Sequence, residues 1–168
     1  EYECQSENLV SLFTTKWFAN GASISQHTQA SELVESLFRK VARDKFDQIG
    51  IFPPDYSRKS AAEQQVWSAL IKSKRFLCYP TESCSSPAEW SKSLAELEVS
   101  VTGVDFLIAE LGIVGIHSNR PDGRLGTLLP PHHLVIAFEE QIVPTLDAYV
   151  RNQGQIFGYK GHQVFINF

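Results

Sequence analysis

The stretch Val101–Leu134, VTGVDFLIAELGIVGIHSNRPDGRLGTLLPPHHL, decides how the chain is read. Three short β-rich runs lie in and around it: DFLIAE, GIVGIH and, at its end, HLVIAF. Residues recurring with a period of two, bounded by Gly and Pro, mark strands. The strands cluster between residues 99 and 138, so part of the sheet is expected to be antiparallel or mixed. Between them, SNRPDGRLG has the composition of a loop.

Outward from this stretch, helical and extended patterns alternate. Leu9, Leu12, Phe13 and Trp17 recur at helical spacing, and Asn20-Gly21 is a stop signal. Ala22–Ser25 reads as a short strand. Leu33, Val34, Leu37, Phe38 and Val41 mark an amphipathic helix over 31–43, and Gln48–Phe52 a strand closed by Pro53-Pro54. Ser60–Glu63 and Ser86–Glu89 are capping boxes, each opening a helix, the second with proline at its first position. Arg75–Tyr79 and Val99–Gly103 read as strands, Pro144–Arg151 as a helix and HQVFINF as a last strand. Strands alternating with helices of this length predict an α/β domain with a mostly parallel sheet. No linker or repeat divides the chain, so residues 1–168 are expected to form a single domain.

Composition excludes several classes of function. At 43% hydrophobic and 20% charged, the chain has the balance of a globular protein. A net charge of −4 gives no electrostatic reason to expect nucleic acid or an anionic membrane as partner. No apolar run approaches the roughly 20 residues that span a bilayer. The start, EYECQSENLV, has neither the basic nor the apolar region of a secretion signal. Cys4, Cys78 and Cys84 are odd in number and lack zinc or iron–sulfur spacing, which favours free thiols in a reducing cytosol. No metal and no cofactor are expected: there is no Walker loop, no dinucleotide fingerprint and no nucleophile elbow. Methionine is absent, including at position 1, so the chain can be a piece of a longer product.

The polar residues of the opening stretch are the candidate site. In open α/β sheets ligands gather at the carboxyl ends of strands. Gly103 follows one strand, and Gly112 permits an unusual dihedral or a close approach. Glu110, a carboxylate in an apolar run, must be paired, neutral or turned to solvent. It is a candidate acid, base or nucleophile or, the reading the pattern favours, a structural acid bonded to backbone amides or to one of the arginines. Arg124, with Arg120, could fork a carboxylate or phosphate or lie free on the surface. His132 and His133 point to opposite faces of an extended chain, so at most one shares a site with Glu110. Gly158, Lys160 and Gly161 in GYKGH could make a short phosphate loop. Trp17, Trp67 and Trp90 fall on helical stretches and are expected to pack.

Several of these residues together resemble the LUD domain family, of the lactate-utilisation C type. The matching positions are Ile108-Ala109-Glu110, Gly112, Arg124, Leu129-Pro130-Pro131, His133-Leu134 and Gln141-Ile142-Val143-Pro144. GYKGH resembles the family's late glycine–histidine–glycine strand entry. The resemblance implies a three-layer α/β fold like that of the NagB/RpiA/CoA-transferase group. It implies work beside iron–sulfur partner subunits that oxidise L-lactate to pyruvate, with a small anionic ligand near Glu110, Arg124 and His133. A non-catalytic scaffold, or an acyl- or CoA-transfer enzyme using Glu110, are the alternatives, and a homo-oligomer stays open. The chain departs from the family in two places. Leu111 stands where threonine is usual, and the Ser-Arg-Thr loop before the last strand is missing between Asn152 and Gly158.

Overall fold

A computed structural model of the chain describes residues 2–54, 60–79, 86–117, 121–156 and 163–166. The elements run α1 (Tyr2–Ala19), α2 (Ala30–Asp44), β1 (Ile49–Phe52), α3 (Ala61–Lys72), β2 (Leu77–Cys78), α4 (Pro87–Ala95) and β3 (Val99–Gly103). They continue with β4 (Phe106–Ile108), β5 (Ile113–His117), α5 (Pro121–Leu128), β6 (His132–Ile136), a 3-10 turn (Glu139–Gln141), β7 (Ile142–Val143), α6 (Leu146–Ile156) and β8 (Gln163–Ile166). They group into two compact units. The first holds residues 1–25, 104–119 and 137–168, and the second holds 26–103 and 120–136.

The second unit is a parallel sheet in the order β2-β1-β3-β6. β3 lies inside and is buried along its whole length. Alternation splits it into two faces. Val99, Val101 and Gly103 face α3, where Trp67 Cζ2 lies 3.4 Å from the place a Cβ on Gly103 would occupy. Ser100 and Thr102 take the other face, with Gly50 and Phe52 of β1 as their register partners. Here Tyr79, Leu94 and Leu97 form a core cluster joined by Phe52, Trp90 and Leu125. Helices thus cover both faces, giving the three-layer α/β arrangement that the family resemblance implies.

Local chemistry explains most of the helix boundaries. Ser60 Oγ accepts from Glu63 N at 3.3 Å, and Ser86 Oγ from Glu89 N at 3.3 Å, so both predicted caps form. Two local readings are corrected. The stretch read as a loop becomes α5, although Pro121, Gly123 and Gly126 give it little helix propensity. Packing overrides that propensity: a Cβ at Gly126 would meet Phe52 Cε1 at 2.6 Å, so only glycine lets the helix sit this close to β1. Ala22–Ser25 is not a strand, and Ser23 instead offers its carbonyl to Trp17 Nε1 at 3.1 Å.

The first unit has a mixed sheet, β7-β4-β5-β8, in which β4 and β5 run antiparallel. They are joined by a tight turn that closes with Gly112 N donating to Ile108 O at 2.9 Å. Gly112 has φ +60, and a Cβ there would strike the backbone of Lys16 at 2.6 Å. Asn20 Nδ2 donates to the carbonyls of Leu111 and Gly112, fastening the same turn to the end of α1. The core is aromatic. Phe106 stacks on Tyr149 with ring centroids 3.7 Å apart, and Ile108, Ile113, Val143 and Leu146 pack around them.

Candidate functional site

The sheet of the second unit holds buried polar side chains. Its four strands run parallel, so their carboxyl ends share one edge. Each βα crossover returns its helix from that edge, so α3 and α4 begin there. On the face of β3 opposite α3, polar side chains replace the expected apolar ones. Ser100 is fully buried and Thr102 nearly so, and β6 adds His133 in register with Ser100. His133 Nε2 and Thr102 Oγ1 share a hydrogen at 2.7 Å. Burial pushes the imidazole pKa down to about 4, so at neutral pH the ring is uncharged. A neutral ring of this kind orients a polar partner and is a poor proton donor.

The two adjacent histidines part as strand geometry requires. His132 is exposed and lies against the Phe46 ring, with centroids 4.9 Å apart. Arg124 lies on α5, whose backbone contacts β3 and β1, and its side chain is outside the described residues. Gly103 ends β3 on the α3 side, and the half-buried Pro54 ring comes to 3.3 Å of its Cβ position.

Glu110 and Gly112 belong to the first unit. The exposed Glu110 carboxylate accepts from Leu146 N at 2.8 Å, at the start of α6. Thr145 Oγ1 accepts from Ala148 N at 3.0 Å in the same turn. A carboxylate at a helix N-terminus satisfies an orphan donor and complements the helix dipole. Of the two readings open for Glu110, the geometry supplies contacts for the structural one. Gly112 likewise has a packing contact, against α1. Gly158, Lys160 and Gly161 lie outside the described residues.

The burial of Glu63 escaped the sequence reading. On α3, Glu63, Val66, Trp67 and Leu70 form one buried stripe, with Glu63 only 3% exposed and Trp67 fully covered. The spacing i, i+3, i+4, i+7 held the signal, a carboxylate at the first position of an apolar face. Its membership of a capping box had accounted for it otherwise. Trp67 Nε1 and Ser100 Oγ find no hydrogen-bond partner among the described residues. Among the same residues no group of three or more His, Cys, Asp or Glu side chains is placed to hold a metal ion. No described helix is long and apolar enough to cross a membrane.

The LUD domain model of protein families matches residues 12–159. Among curated proteins, the lactate utilization protein B of Bacillus licheniformis is 34% identical over 58 residues, covering 34% of this chain and 12% of its own. That of Exiguobacterium sp. is 36% identical over 61 residues, covering 36% of this chain and 13% of its own. That of Shouchella clausii is 37% identical over 54 residues, covering 32% of this chain and 11% of its own. The matched segment therefore spans only about an eighth of these relatives, which are B proteins rather than the C type. Among solved structures, a DUF162 family protein from Deinococcus radiodurans superposes with a TM-score of 0.66 at 18% identity, over 96% of this chain and 87% of that one. At that identity the likeness is one of fold.

Proposed function

The chain belongs to the LUD domain family, and from that premise we propose that it serves a lactate-utilisation system, holding a small carboxylate while L-lactate is oxidised to pyruvate. The observation that carries this reading is the 34–37% identity to three proteins named for lactate utilization, within a chain that the family model matches almost throughout. The ligand site belongs to the second unit. Arg124 forks the carboxylate, and the uncharged His133 ring, held by Thr102, orients it. Oxidising lactate removes a hydride equivalent and a proton. Iron–sulfur partner subunits would receive the electrons, and the chain itself would bind and position.

Calorimetry with L-lactate and pyruvate tests the proposal. Binding by the wild-type chain, weakened about tenfold or more in Arg124→Ala, is expected, since losing a charge-assisted fork is worth a few kcal/mol. No binding of either acid would overturn it.

A second reading has one observation in its favour. The carboxylate of Glu110, the residue an acyl-transfer enzyme would use, is already bonded to the N-terminus of α6. That supports a non-catalytic subunit assembled with iron–sulfur partners. Under this reading the chain would co-purify with material bearing iron–sulfur absorbance, and Glu110→Gln would change neither that assembly nor lactate oxidation.

A further inference from the structure

We propose that α5 is a gate, which opens by local unfolding ahead of the rest of the fold and admits a small carboxylate to the polar face of β3, where Ser100, Thr102 and His133 gather. The inference rests on the reading of the second unit as a small-carboxylate site and adds the motion by which the ligand enters. Because Arg124 lies on α5, a carboxylate held between it and His133 ties the helix down again.

Little holds α5 down. It is 8 residues long, and helices that short are unstable in water on their own. Gly123 and Gly126 lower its propensity further. Among its described side chains only Leu125 joins the core cluster of this face, and Leu128 is 60% exposed. On the opposite face, α3 sets Val66, Trp67 and Leu70 wholly inside. Elements with few buried apolar side chains open at a fraction of the global free energy, and ligand-binding lids are drawn from them.

The position of α5 gives its opening a meaning. Its backbone contacts β1 and β3, and Gly126 sits against Phe52, the register partner of Thr102. It therefore covers the face that carries Ser100 and Thr102, with His133 in register with Ser100. β6 starts at the amino edge of the sheet, so α5 runs back from the carboxyl edge, and its opening clears the strand ends where α/β sheets take ligands. His133 is only half-buried, so this face already meets solvent there. Ser100 is fully buried, and its hydroxyl finds no hydrogen-bond partner among the described residues. A buried polar group left unbonded costs free energy. Water reaching Ser100 removes that cost, so the closed helix leaves unsatisfied a group that the open one hydrates.

Native-state hydrogen exchange tests the gate. In the wild type, the amides of residues 125–128 should exchange about a hundredfold faster, or more, than those of residues 99–102. Low urea should speed the β3 amides and leave those of α5 almost unchanged, because a local opening exposes little surface. Ser100→Ala removes the hydroxyl that opening hydrates and should slow exchange in α5 by roughly tenfold. L-lactate or pyruvate, at about a hundred times its dissociation constant, should slow it by about tenfold or more. Amides of α5 as slow as those of β3 would overturn the gate. So would an opening indifferent to Ser100→Ala, which is fraying that leaves the face covered. An acid that binds by calorimetry, loses affinity in Arg124→Ala and yet leaves α5 exchange unchanged would also overturn it, while the carboxylate site stands. A wild type that binds neither acid would remove both.

Discussion

The two units bury their interiors in opposite ways. In the first, the mixed sheet is closed by aromatic rings. Phe106 and Tyr149 stack, and Gly115 lies so tightly under Phe106 that a Cβ there would come to 1.8 Å of Cζ. In the second, the parallel sheet takes polar groups inside. The buried glutamate, serine and threonine side chains among the described residues, Glu63, Ser100, Thr102 and Thr127, all belong to it. Burying a polar group costs free energy unless it is bonded, so such groups persist where they have a task. The contrast teaches where to look for chemistry. One unit spends its interior on packing, and the other keeps polar atoms at strands whose ends can receive a ligand.

Overfilling the aromatic core is the strongest way to test the contrast. Gly115→Val should destabilise the protein by about 3 kcal/mol or more, since the ring it meets is itself stacked. A urea titration within about 1 kcal/mol of wild type would show that the core is loose. The next effect is a dependence on pH. The His133 ring is held neutral, with its pKa depressed from about 6.5 in the unfolded chain to about 4. The unfolded state therefore takes up a proton first as pH falls. Stability is full above 6.5 and declines toward pH 4, by on the order of 2–3 kcal/mol. Melts of wild type and His133→Gln from pH 7 to 4 should diverge in that window, and parallel curves would place the ring in contact with water.

Smaller effects sharpen the comparison. Gly126 also faces an aromatic ring, Phe52, half-buried and stacked on Tyr79, but a Cβ there would come only to 2.6 Å of it. Gly126→Ala gains roughly 1 kcal/mol of helix propensity against the clash, so its net cost should be about 1 kcal/mol or less, well under that of Gly115→Val. Smallest is the cap of α6, where Glu110→Ala should lose about 0.5–1 kcal/mol by thermal melt. A much larger loss would mean that Glu110 does more than hold Leu146 N.

Local signals made much of this architecture legible. Ser60 and Ser86 announced α3 and α4, Asn20-Gly21 ended α1, and the β3 pattern read directly as Val99–Gly103. The alternation of His132 and His133 predicted opposite faces, and the structure sets His133 on Thr102 and leaves His132 exposed against Phe46. What failed was decided at a distance. Nothing local to Pro121–Leu128 favours a helix, since its reason is Phe52, far back in the chain. Glu110 stayed open between a candidate acid and a structural one because the amide it bonds belongs to Leu146, 36 residues onward. Trp67 read as a packing residue and is fully covered, whereas the burial of Glu63 was hidden behind its place in a capping box.

The outer strand β2 has a consequence of another kind. It is only Leu77 and Cys78, both exposed, and it follows Lys74, whose left-handed φ of 53 bends the chain just before it. Open sheet margins invite intermolecular pairing and, with it, fibrils. Two rungs give an incoming neighbour too little ladder to hold, so on this side the molecule is guarded against self-assembly by brevity, with an apolar side chain left on display at no hazard.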